Sequence, residues 1–430
     1  MAYNNSMKIE KLIPGGQGIG KTPEGKKIFF WNVLPGEEVV EWETFRKKKD
    51  FDEALPRMIL NHSTHRVSPK DPCYLSTSPW QIMDFDYELE QKRELVIESL
   101  RQEHINTDNI EVAPTQTDGK EWQYRNKMEY ALYWNHDLEK IQLAFHGRGT
   151  HGKIPIEQSS IENPAIFQKA QGITAELNNN HDEARRYQSL LLRANQQGEV
   201  SGGLFENKKP HPAFKNLTDQ ILGRTYSYSP NGFFQINLPV YELALREIQK
   251  HIKTEKVLDL YAGVGTIGLS VARDKSLILV ENNRAAFAEL VGNIRASEPN
   301  GSSSGLSGGN GRGPRTRSPV TTGAKESVSR EESFGLKRAV LANSESVLDF
   351  VSPDQTVILD PPRAGCDKKL IEKLLEQTPE QLIYLSCNPA TQARDVKLLA
   401  DKYIIERIIP YNFFPKTPHI ENLIIMSRIK

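Results

Sequence analysis

The chain has 430 residues, enough for two or three domains that each bury their own core. Apolar residues make up 38% and charged residues 26%, as in a soluble globular protein, and Lys+Arg and Asp+Glu are equal at 55 each. This balance gives no argument for a nucleic-acid partner, which would need a local basic surface. Cys73, Cys366 and Cys387 are far apart and form no C-x-x-C pair, which argues against a disulfide framework or a zinc site and for a reducing compartment. "MAYNNSMKIE" lacks the apolar centre of a signal peptide, and the best apolar stretch, "IFFWNVL", is too short to span a membrane. A cytoplasmic protein without membrane contact is expected.

In chain order, residues 1–65 read as short strands punctuated by turns. "GGQGIG" and "TPEGK" supply turns, "KIFFWNV" has strand composition, and "LPGEEVVEWETF" is a turn followed by alternation. Such spacing predicts a small β-barrel. The run "RKKK", Arg46 to Lys49, reads either as a solvated charge cluster or as a phosphate contact. In residues 66–230, a helical period places Leu89, Leu95, Val96 and Leu100 on one face between Asp86 and about Glu103. Trp122 to Phe145 reads as paired strands joined by a turn at "WNHD".

From about Thr254 the pattern changes to strands alternating with helices. "KVLDLYAG", "LILVENN", "TVILDPPR" and "QLIYLSCNP" are the strands, and a helix is predicted over Lys368 to Glu376. This pattern gives a doubly wound α/β sheet whose polar turns gather at the carboxyl ends of the strands, where ligands bind. Gly301 to Ser333 is rich in Gly, Ser and Arg and nearly free of apolar side chains, so a disordered insertion is expected over 300–335.

Four turns carry chemistry. In "LDLYAGVGTIGL" an acid near the strand end precedes Gly263 and Gly265, which permit close approach of a ligand to the backbone. The glycine spacing departs from the dinucleotide fingerprint and no P-loop is present, which favours a non-phosphate adenosyl ligand. Glu281 ends the next strand, where a carboxylate can accept from both ribose hydroxyls or serve as an ordinary strand-end acid. Asp360 is held over the sheet edge by two prolines, and Arg363 beside it can reach an anion or lie on the surface. Cys366 reads as a packing residue. Cys387 in "SCNP" stands where a helix started by Pro389 would offer backbone amides to a thiolate. His419 and Glu421 lie between a Pro-bounded turn and the closing apolar strand, so Glu421 can pair with Cys387 in acid–base chemistry.

Taken together, "FFQIN", "LDLYAGVGT", "LDPPRAG", "SCNPAT" and "FFPKTPHIE" occur in the order of the RNA uracil-5-methyltransferase family, which the chain resembles from Asn231 to Ile429 apart from the insertion, within a domain expected over 231–430. The amino end resembles a TRAM domain, an OB-like RNA-binding barrel, and "YRNKMEY", Tyr124 to Tyr130, resembles a central-domain motif that contacts RNA. The resemblance implies a Rossmann-like S-adenosylmethionine-dependent methyltransferase domain, preceded by the barrel and a small α+β central domain. It further implies that Gln235, Tyr261, Glu281, Asp360 and Asn343 hold the methyl donor, that Cys387 is the nucleophile and that Glu421 is the proton acceptor. Glu421 is expected as an ordinary ionised carboxylate. The implied substrate is a uridine in 23S ribosomal RNA, with tRNA as the other choice, and a monomer is expected.

Three positions depart from the family pattern. Only Cys73 remains where many members carry four cysteines, so no iron–sulfur cluster is expected. Asn412 and Asn343 stand where acids are usual. Two other readings compete: a methyltransferase acting on a base nitrogen, because a D/N-P-P turn also serves that chemistry, and an RNA-binding protein that has lost its catalysis.

Overall fold

The computed structural model describes residues 6–107, 110–149, 152–180, 186–207, 209–211, 214–297 and 330–429. The amino-terminal strands β1 (Met7–Lys8), β2 (Lys11–Leu12), β3 (Gly18–Lys21), β4 (Lys27–Phe30), β5 (Glu38–Lys47) and β6 (Phe51–Ile59) form one sheet in the order β1-β5-β6-β4-β3-β2. The two outer strands are consecutive in the chain, so the sheet curls back on itself as the expected barrel. Met7, Ile9, Ile28, Phe30 and Val39 fill its interior.

A second sheet, in the order β12-β11-β10-β7-β8-β9, follows. Its hairpin β7 (Lys127–Asn135) and β8 (Lys140–His146) turns at the expected place. Strands β9 (Lys153–Pro155), β10 (Ser189–Ala194), β11 (Val200–Glu206) and β12 (Lys209–His211) complete it, and the helix Pro164–Asn178 covers one face. Cys73 lies in that apolar core.

The third sheet has eight strands in the order β17-β18-β16-β15-β19-β20-β22-β21. Strands β15 (Lys256–Leu260), β16 (Ser276–Glu281), β18 (Lys337–Leu341), β19 (Gln355–Leu359) and β20 (Gln381–Ser386) run parallel. After β15 the chain builds outward through β16 and β18, then crosses to β19 on the other side. The topological switch point therefore lies between β15 and β19, where such folds bind ligands. Strand β22 (Glu421–Arg428) inserts antiparallel between β20 and β21 (Tyr403–Tyr411). Its reversed direction puts its first residue, Glu421, at the edge where the parallel strands end.

Two segments placed by sequence in the middle region pack on this sheet instead. Leu95, Val96 and Leu100 of the helix Phe85–Gln102 join the core of one face. The hairpin of β13 (Leu217–Ile221) and β14 (Arg224–Tyr228) buries Leu217, Ile221, Tyr226 and Tyr228 in the core of the other. Neither partner is readable from local periodicity. Of the segment expected to be disordered, 300–329 lies outside the described residues. Arg330–Phe334, however, forms the edge strand β17, paired antiparallel with β18. Ladder hydrogen bonds, the ion pair of Arg338 with Glu331 and the packing of Phe334 against the core order that stretch.

Candidate active site

A cleft of about 670 Å³ opens at the switch point, and Gln235, Tyr261, Glu281, Asp360, Cys387 and Glu421 all line it. The turn after β15 is unusually bent: Tyr261, Gly263 and Gly265 have φ of 67°, 58° and 90°. For Tyr261, which has a side chain, this conformation costs about 1 kcal/mol or more. Gly265 is required on a second count, because a Cβ there would lie 2.5 Å from Leu290 Cδ1. Glu281 braces the turn from the neighbouring strand: its Oε2 accepts from Gly263 N at 2.7 Å and its Oε1 from Asn283 N at 2.6 Å. Each oxygen keeps a lone pair for a hydroxyl of a ligand. The strand-ending acid of "LDLYAG" is Asp259, and it does not reach the cleft. It is fully buried, accepts from Gly268 N at 2.8 Å, and is pushed up to about 8 by burial and by the nearby Asp360 and Glu281.

Gln235 is delivered by the middle domain. Asn126 Nδ2 donates to the Gln235 carbonyl at 3.1 Å, Arg193 Nη2 donates to the Phe234 carbonyl at 2.6 Å, and Lys127 Nζ reaches the carbonyls of Asn231 and Gly232. Tyr124 Oη donates to the Pro415 carbonyl at 2.9 Å. "YRNKMEY" is thus largely internal scaffolding that clamps the loops of the site. The run "RKKK" is likewise only partly available, since Arg46 pairs with Glu53 at 3.0 Å.

The Asp360 and Cys387 turns are tied together. Asn388 Nδ2 and Thr391 Oγ1 donate to the Arg363 carbonyl at 2.9 and 3.1 Å, and Asn388 caps the helix Pro389–Leu399 with Pro389 at its first position. The Arg363 guanidinium donates to His419 Nδ1 at 3.2 Å, which leaves the imidazole proton on Nε2. Cys366 is buried beside Tyr384 and Asp395, as a packing residue should be.

Ionisation departs from the sequence expectation. Burial, with the adjacent Glu421 and Asp360, pushes the Cys387 thiol up to about 11 against the opposing pull of Arg363. The helix start therefore does not suffice to make a thiolate here. Burial and Asp360 hold Glu421 well above the usual carboxylate range, so it is not the ordinary ionised acid expected. Burial alone moves Asp360 to about 7. Three acidic groups raised in one cleft, chiefly by burial, suit a cationic ligand, whose charge would favour their ionised forms.

Asn343 does not join them. Its side chain is exposed, accepts from Asn282 Nδ2 at 3.3 Å, and is absent from the cleft lining, although Ala342 and Ser344 on either side are buried. Asn412 is buried and bonds to Lys92 and Glu88 of the helix Phe85–Gln102. No sequence signal linked those residues.

The doubly wound sheet, with its inserted antiparallel strand and a ligand cleft at the switch point, is the fold of an S-adenosylmethionine-dependent methyltransferase. The sequence model of the tRNA (uracil-5-)-methyltransferase family matches residues 347–429, which carry Asp360, Cys387 and Glu421. Uncharacterised RNA methyltransferases of Bacillus anthracis and Staphylococcus aureus are each 27% identical to the chain over 97% of its length, covering 95% and 97% of their own. The solved Pyrococcus abyssi tRNA (uracil-54, C5)-methyltransferase, a complex with S-adenosyl-L-homocysteine, superposes with a TM-score of 0.71. It is 22% identical, and the match covers 99% of this chain and all of that one.

Proposed function

We propose that the protein transfers a methyl group from S-adenosylmethionine to C5 of a uridine in RNA, with Cys387 as nucleophile and Glu421 as proton acceptor. One observation carries this reading: a thiol and a buried carboxylic acid from different strand ends share a cleft with Glu281, Gln235 and Asp360. A methyltransferase acting on a base nitrogen has no use for the thiol. The TRAM-like reading of the barrel and the cytoplasmic location belong to the same proposal.

C5 of uracil is a weak nucleophile. The Cys387 thiolate adds to C6, and the C5–C6 π pair moves onto the ring as an enolate with carbanion character at C5. Bound donor would supply an electrophilic methyl group: the C5 pair forms the new carbon–carbon bond as the donor's sulfur–methyl bond breaks and its pair returns to sulfur. Glu421 as carboxylate then takes the C5 proton, the C5–H pair restores the double bond, and the C6–S bond breaks to release the thiolate. Arg363 favours both anionic forms. The uridine must leave its stack to enter the cleft.

Cys387→Ala is expected to lower turnover by about 10³-fold or more. Glu421→Gln should accumulate an RNA–protein adduct that survives denaturing electrophoresis, because its C5 proton cannot leave. An active Cys387→Ala enzyme would overturn the mechanism. Mass spectrometry of ribosomal and transfer RNA from a deletion strain identifies the substrate as the RNA that loses a 5-methyluridine. No loss in either RNA would overturn the assignment.

A further inference from the structure

Beside the catalytic cleft lies a second cavity of about 340 Å³ to which all three parts of the chain contribute: Gly15 of the barrel, Arg125, Phe145 and Arg148 of the middle domain, and His419 of the loop before β22. A space of about 280 Å³ lies next to it, sharing Gly15, Pro418 and His419 with it, and is bordered by Cys387 and Arg363. The loop of Pro418 and His419 thus faces both the space bordered by Cys387 and the cavity bordered by Arg125 and Arg148.

The two arginines are held but not neutralised. Arg125 Nε donates to the Lys127 carbonyl at 3.1 Å, and the Arg148 guanidinium lies 4.0 Å from the centre of the Trp31 ring while donating to the Leu75 carbonyl. Among the described residues neither forms a salt bridge, whereas surface arginines such as Arg46 and Arg57 pair with Glu53 and Glu43. The same cavity holds one carboxylate, Glu129, against the two guanidinium groups. The positive field is felt at its centre: burial first, then Arg363, Lys92, Arg125 and Arg148, lower His419 to about 4, so its imidazole is neutral.

We propose that this cavity receives the backbone phosphate of the nucleotide next to the target uridine, bound between Arg125 and Arg148. The inference rests on the RNA reading above and adds the path of the strand. An RNA whose base has swung toward Cys387 must lead its flanking phosphates past His419, and guanidinium forks match phosphate oxygens.

The test is the salt dependence of RNA binding by the full-length protein, using RNA that the wild type methylates. Each single-strand phosphate contact adds about 0.7 to the slope of log K against log salt, so Arg125→Gln with Arg148→Gln should reduce the slope by about 1.4. S-adenosylmethionine binding should stay unchanged by calorimetry, and the double Lys variant should restore the slope. If the double Gln variant does not fold, Arg125→Gln alone should lose about 0.7. An unchanged slope in a folded variant overturns this site while leaving the uridine reading intact. A wild type that transfers no labelled methyl group to RNA overturns both.

Discussion

Asn412 donates through Nδ2 to Glu88 Oε1 at 3.0 Å, joining residues 324 positions apart in the chain. The same oxygen accepts from Lys416 N at 2.9 Å and lies 3.0 Å from Lys92 Nζ, while Lys92 also holds Asn412 Oδ1 and the Phe414 carbonyl. Lys416 Nζ completes the group with Glu121 at 2.8 Å. Two lysines and two glutamates already balance, so a neutral amide at 412 is what the cluster needs: it donates to one carboxylate and accepts from one ammonium. The departure from the acid usual at this position is matched by its surroundings.

The cluster holds the loop that ends at His419 and Glu421, and Lys92, fully buried like Glu88 and Asn412, is lowered to about 8 chiefly by burial. Lys92→Met would leave Glu88 without its nearest cation. Removing one partner of a buried pair costs about 3 to 5 kcal/mol. Chemical denaturation should show a loss of that order, and a loss below about 1 kcal/mol would mean that the cluster does not brace the loop.

Asp259 supplies a pH signature opposite to ordinary acid unfolding. Its folded value of about 8 exceeds its unfolded value, so between about pH 4 and 8 the folded state keeps a proton that the unfolded chain releases. Stability from this residue is therefore present at low pH and lost as pH rises. Asp259→Asn should flatten the curve, reducing the decline between pH 5 and 8 by about 2 kcal/mol or more in urea titrations. Parallel curves for the two proteins would refute the assignment.

Asp360 titrates near 7 in the cleft that would take the cationic donor. Affinity for S-adenosylmethionine should rise between pH 6 and 8 as the carboxylate forms, by up to about tenfold. The Asp360→Asn protein should bind more weakly and without this rise. Calorimetry at three pH values decides it, and an equal rise in the variant would point to another group.

Gly16 links the barrel to the catalytic loop. Its φ is 94°, and a Cβ there would lie 2.4 Å from Pro418 Cβ, against a ring that cannot swing aside. Gly25, with φ 86° and nothing within 4 Å, offers the same backbone strain without the clash. Gly25→Ala should cost about 1 kcal/mol, whereas Gly16→Ala should cost roughly 2 to 3 and also lower kcat. Equal effects of the two substitutions would show that the barrel turn does not position the loop.

How far the sequence reached can be seen residue by residue. The strand-end turns at Tyr261, Glu281, Asp360 and Cys387 were legible, because each motif combines an apolar run with glycine or proline punctuation whose geometry is local. The helix Lys368–Gln377 and the Pro389 helix start followed from the same signals. Charge state was not legible. Whether Glu421 or Cys387 carries a proton depends on burial and on Asp360, which lies 61 and 27 positions earlier in the chain. Asn343 follows a strand end as its motif implies, but whether its side chain lines the cleft was not legible, since that depends on tertiary packing around the strand. Asn412 and Lys416 meet Glu88, and Arg148 comes to the same cavity as Arg125, only through tertiary closure.

Strand β22 has a temporal consequence. It fills the gap between β20 and β21 and opens with Glu421, while the loop before it receives Trp80 N at the Lys416 carbonyl and Trp80 Nε1 bonds the Gly16 carbonyl. During synthesis, the barrel and the donor turn at Gly263 emerge long before the segment that completes both the sheet and the acid–base pair. Chain closure over such separations carries an entropy cost that local folding does not. On the roles proposed for Cys387 and Glu421, catalytic competence and the final closure of the fold are therefore one event.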